Sequence, residues 1–89
     1  MENKIRNKRM NIKICDMLDE VIECIEKDNI KQGLDILING TKLPNFHQGN
    51  FNGSKICLQV VNMWIVSDWK DGAIEFIEKN KPKIMELDL

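Results

Sequence analysis

Residues 10–27, MNIKICDMLDEVIECIEK, constrain the fold more than any other stretch, because they hold too many apolar residues for one face of a helix. At about 100° per residue the segment divides into three sectors. Cys15, Leu18, Ile22 and Ile25 form one apolar seam. Met10, Ile14, Met17, Val21 and Cys24 form a second, stepping by four and three as a and d positions do in a coiled coil. Asp16, Asp19, Glu20, Glu23 and Glu26 fill most of the opposite arc. One seam is enough to dock the helix on its own domain. The second must be covered either by helix 3 or helix 4 of the same chain or by another molecule. Methionine adapts to varied surfaces, so Met10, Met17 and Cys24 are expected to form a contact strip for a partner, a second copy of the chain being the commonest kind.

The rest of the chain extends this pattern into an all-α fold. The first helix is expected to begin between Asn3 and Met10 and to end near Lys27. Asp28 or Asn29 then caps a second, IKQGLDILIN, with Ile30, Leu34, Leu37 and Ile38 as its buried stripe and Gly40 as its stop. The connection is short enough to force a hairpin. Residues 40–53, GTKLPNFHQGNFNG, hold three of the five glycines and form one long loop. Ser54 is placed to cap a third helix, KICLQVVNMWIV, whose polar residues Lys55, Gln59 and Asn62 make only a narrow stripe. A helix apolar around most of its girth belongs at the centre of a bundle. Continued further, it would bring Asp68 into its apolar arc, so it is expected to end near Ser67. Ser67 or Asp68 caps a fourth helix, with Trp69, Ala73, Phe76 and Ile77 facing inward and Pro82 marking its end. The expected architecture is a small single-domain four-helix bundle with one long loop between helices 2 and 3. Residues 1–9 would form a basic, frayed end and residues 81–89 a tail.

Charge is segregated far more than the net value of −1 suggests. Residues 1–13 carry Lys4, Arg6, Lys8, Arg9 and Lys13 against Glu2, a net +4. Residues 14–28 carry six acids against Lys27, a net −5. An unbroken acidic face suits a basic protein partner, such as an enzyme with a nucleic-acid groove, and speeds its association. The cationic segment could instead hold phosphates, but the adjacent acids would repel the same backbone, and no helix-turn-helix, RNP or zinc-finger pattern accompanies it.

Residue types for catalysis are sparse. His47 is the sole histidine and lies in the glycine-rich loop. No HExxH, GxGxxG or GxxxxGK[ST] spacing occurs, so neither a metal site nor a phosphate cradle is expected. Cys15, Cys24 and Cys57 are odd in number, lack CxxC spacing and suggest a reducing, cytoplasmic setting. No apolar run approaches the roughly 18 residues of a membrane span. Trp64 reads as core; Trp69, at the junction of helices 3 and 4, could anchor an interface.

By subtraction the chain is expected to be a non-enzymatic, cofactor-free interaction protein of the inhibitor, immunity or antitoxin kind. Its abundance of Ile, Lys and Asn and its lack of Tyr suit an AT-rich bacterial or phage genome. Asp16, Asp19, Glu20, Glu23 and Glu26 would steer the partner, and Met10, Met17 and Cys24 would supply apolar contact. Two other readings remain open: a small nucleic-acid regulator using Lys4, Arg6, Lys8, Arg9 and Lys13, and a nucleotide or metabolite sensor with Phe46, His47 and Phe51 lining a loop pocket.

Overall fold

The computed structural model describes residues 2–42, 47–48 and 51–86. Four helices follow one another in an up-down-up-down path: α1 (Glu2–Lys27), α2 (Ile30–Gly40), α3 (Gly53–Val61) and α4 (Lys70–Met85). A π-helical turn, Asn62–Val66, extends α3. Between α2 and α3 a two-residue antiparallel ladder pairs β1 (His47–Gln48) with β2 (Phe51–Asn52).

The axis of the molecule is α1. Its 26 residues extend about 39 Å at 1.5 Å per residue, nearly the full 43 Å length of the protein. It packs along both α2 and α4, and α3 packs along α4, whereas α2 and α3 are not packed together along their length. The central position expected for helix 3 therefore belongs to α1, and both of its seams are needed inside the molecule. Ile14, Leu18, Val21 and Ile25 are fully buried on α1, joined by Val60 and Trp64 from the third helical segment and Ala73, Ile77 and Ile84 from α4. Each of the buried Val, Leu and Ile side chains contributes about 1.5–3 kcal/mol on removal from water.

Local chemistry explains most helix ends and several departures from expectation. Asn29 caps α2 by accepting from the Gln32 N–H at 3.3 Å. Gly40 does not stop α2; Thr41 closes it, its hydroxyl donating to the Ile38 carbonyl at 2.6 Å. Asn52, rather than Ser54, caps α3 by accepting from the Lys55 N–H. The third helical segment ends at Val66, and neither Ser67 nor Asp68 caps α4: Asp68 takes a left-handed conformation and Trp69 is the capping residue without a side-chain bond. Pro82 lies inside α4. It removes one helical hydrogen bond, yet the helix continues to Met85 because Ile84 is buried and Lys81 binds Asp19 of α1. Residues 81–85 are helix and not tail.

Candidate interaction surfaces

The seam expected to meet a partner is covered by α2 of the same chain. Met17 and Cys24 are 8% and 5% exposed. Gly40 lies directly over the Met17 sulfur, where any Cβ would collide with it. Gly33 lies beside Cys24 and under the indole of Trp64; a Cβ there would stand 2.6 Å from the ring. Two glycines seven residues apart thus let α2 approach the second seam closely, with Trp64 from the third helical segment closing over Gly33 beside Cys24. Met17 and Cys24 are core residues and are corrected as contact residues. The side chains of Met10, Lys4, Arg6, Lys8, His47 and Phe51, and all of Phe46, lie outside the described residues, so neither the cationic segment nor the loop pocket is assembled here. Arg9 and Lys13 are exposed.

The acidic arc divides by function. Asp19 is bound to Lys81, whose ammonium also lies 3.9 Å from Glu78. The hydrogen bond to Asp19 holds Lys81 above its usual pKa range. Next to this clamp the Cys15 thiol donates to the Lys81 carbonyl at 3.7 Å. Asp19 therefore ties α1 to α4. Asp16, Glu20 and Glu23, by contrast, are exposed and make no ion pair among the described residues. They line two adjoining clefts between α1 and α2. A cleft of about 230 Å³ lies between Glu20, Glu23 and Lys27 on one wall and Asn29 and Gln32 on the other. A wider one of about 370 Å³ lies between Lys13, Asp16 and Glu20 and the opposing Asn39 and Gly40. Half-buried Ile36 borders both. Glu26 is exposed but borders neither.

A second surface was assigned to the core by its sequence. On α2 the expected buried stripe is largely open: Ile30 and Ile38 are exposed, Ile38 by 57%, and Leu34 is half-buried. On α3 Leu58 is 71% exposed. Leu34, Leu37 and Ile38 face Cys57, Leu58 and Val61 across a groove of about 230 Å³, with Thr41 and Ser54 at its end nearest the loop. No charged residue lines it. Sequence reasoning missed this groove, although its signal was present: α3 is apolar on more sides than one neighbour can cover.

Burial pushes the Cys15 and Cys24 thiols up and that of Cys57 from 9.0 to about 11. Neutral buried thiols are poor nucleophiles. Among the described residues no group of three or more His, Cys, Asp or Glu is arranged to hold a metal ion, and no helix is long and apolar enough to cross a membrane. Compared with protein-family models, curated proteins and solved structures, the chain matches none.

Proposed function

We propose that this chain is a non-enzymatic protein-interaction module of the inhibitor, immunity or antitoxin kind, from a bacterium or phage, that docks a basic protein at the clefts between α1 and α2. The observation that supports this most is the separation within the acidic arc. Asp19 is held by the fold, while Asp16, Glu20 and Glu23 make no ion pair among the described residues and stand around a concave surface bordered by an aliphatic side chain. A basic ridge entering there gains electrostatic attraction at the rim and apolar contact at Ile36, and the charge hastens encounter at low salt. A nucleic-acid-handling enzyme has a surface of that sign. Phosphate backbones are repelled by the same carboxylates.

The test is capture of partners on immobilised protein, with Asp16→Lys/Glu20→Lys/Glu23→Lys beside the wild type and Glu75→Lys/Glu78→Lys as a remote control. A basic protein retained by the wild type and the control, lost from the triple variant, and weakened roughly tenfold or more by moderate salt is the expected outcome. Equal retention by the triple variant, or preferential retention of DNA by the wild type, overturns the reading.

A further inference from the structure

α1 packs along α2 and α4, and its outer face stays exposed. On that face Arg9, Lys13, Asp16, Glu20, Glu23 and Lys27 recur at alternating steps of four and three, which places them on one stripe of the helix. All are exposed, and none makes an ion pair among the described residues. In the sequence the same spacing continues back to Arg6 and Glu2. The signs along this stripe invert when it is read backwards. Lys13 and Asp16, Arg9 and Glu20, Arg6 and Glu23, and Glu2 and Lys27 each stand at equal distances from the midpoint between Lys13 and Asp16, and each pair joins a cation to an anion. We propose that a second copy of this chain pairs with the first along α1, antiparallel, the basic half of each helix lying against the acidic half of the other.

The sign pattern is what selects a second copy. A basic protein matches residues 14–28, net −5, but gains nothing from residues 1–13, net +4, and a polyanion meets the reverse. A parallel copy would set like charge on like. Only an antiparallel copy matches both halves at once. The symmetry is that of an isologous pair: a two-fold axis runs between the two α1 helices at the stripe's midpoint, perpendicular to the plane that contains both, so every contact occurs twice and the assembly closes. The fold leaves room for it. α2 ends with Gly40 over Met17, so the basic half of α1 runs on past the end of α2. Unflanked there, it can enter the clefts that lie between α1 and α2 of the other copy. Two α1 helices in contact over about 39 Å of length and about 10 Å of width bury roughly 800 Å² in all, the size of a weak, transient interface. Such a pair depends on its charges and is loosened by salt. It fills the clefts assigned above to a basic partner, which would have to displace the second copy, but the pairing rests on the stripe and stands without that reading.

Sedimentation velocity at several hundred micromolar protein tests this in about 20 mM and about 500 mM salt, between which the Debye length falls from roughly 20 Å to roughly 4 Å. Two variants reverse one half of the stripe each, Arg9→Glu/Lys13→Glu and Asp16→Lys/Glu20→Lys. Lys79→Glu/Lys83→Glu, at exposed positions of α4, carries the same net charge as the first and serves as its control. The wild type and the control should rise from 10.4 kDa towards twice that mass in low salt and stay monomeric in high salt. Each α1 variant alone should remain a single monomeric species, because Arg9 with Glu20 and Lys13 with Asp16 become like-charged pairs. Mixed in equal amounts the two variants should associate, because every one of those pairs is then opposite in sign again. Recovery on mixing also shows that both variants are folded. A wild type that is monomeric in low salt, a dimer of either variant alone, or a mixture that stays monomeric overturns the proposal. The docking reading fails or holds separately: capture by Arg9→Glu/Lys13→Glu, which keeps the carboxylates of the clefts, reports on it whatever the mass of the wild type.

Discussion

The two helical hairpins meet at one end of the bundle, where Asp28 of the first turn pairs with Lys70 of the second at 3.5 Å, and they close in different ways. Each places an aspartate at positive φ, 56° at Asp28 and 50° at Asp68. In the first, the Asn29 N–H bonds the Cys24 carbonyl and the Asp28 N–H bonds that of Ile25, the pair of bonds of a Schellman ending. Asn29 then caps the next helix. In the second, the π-helical turn lengthens the closure by one residue: the Trp69 N–H reaches back to Met63, and α4 begins without a side-chain cap. Each second helix also has a glycine beneath an indole. Gly33 lies under Trp64, which is buried, and Gly72 under Trp69, which is 55% exposed. Similar turn chemistry therefore yields a tight wedge where the ring is enclosed and a loose one where it borders solvent.

Alanine at the two glycines should expose that difference most strongly. Gly33→Ala sets a methyl against a ring that has nowhere to go, and a loss of about 1–3 kcal/mol is expected, seen as a fall in melting temperature by circular dichroism. Gly72→Ala meets an indole free to swing outward, and the helix gains about 1 kcal/mol of propensity. Its melting temperature should stay close to that of the wild type. Equal losses at both sites would mean that Trp69 is held as firmly as Trp64.

How much of this was legible beforehand depended on the range of the interaction concerned. The four helices and their order follow from local apolar spacing, and Asn29 is readable as a cap because its bond spans only three residues. The assignment of faces was not readable. Periodicity shows that α1 has two seams, but not that Gly33 and Gly40 would let α2 cover the second; a glycine carries no apolar signal of its own. For the same reason apolar spacing alone points Met17 and Cys24 outward and Ile38 inward, the reverse of their places in the fold. In the acidic arc, Asp19 looks like its neighbours until Lys81, 62 residues later, arrives beside it. The π turn leaves no mark on so short an apolar run.

Alkaline pH should sharpen the comparison by acting on the buried thiols of the two hairpins, Cys15 and Cys24 in the first and Cys57 in the second. In the unfolded chain Cys57 loses its proton near pH 9.0, and in the folded protein near 11. Between those values the unfolded state binds fewer protons, so stability is full below about pH 9 and falls as pH rises through about 11. Cys15 and Cys24 shift in the same direction. Melting temperatures measured from pH 8 to 11 should decline for the wild type, and Cys57→Ala should flatten that decline more than Cys24→Ala does. If Cys24→Ala flattened it more, the tightly wedged hairpin would be the one that yields to base.

The smallest expected effect lies in the turns themselves. A left-handed conformation costs a residue bearing a Cβ about 1 kcal/mol or more, and glycine escapes that cost. Asp68 and Asp28 are both exposed, so replacement by glycine disturbs no packing. Asp68→Gly should therefore stabilise the protein by up to about 1 kcal/mol, offset in part by glycine's greater freedom in the unfolded chain. Asp28→Gly relieves the same strain but also removes the ion pair with Lys70, an exposed pair worth about 0–1 kcal/mol. Its gain should be smaller in low salt and should approach that of Asp68→Gly as salt screens the pair. Urea denaturation of both variants at two ionic strengths reads this difference. A larger gain from Asp28→Gly at low salt would show that the bridge between the two turns contributes nothing to their alignment.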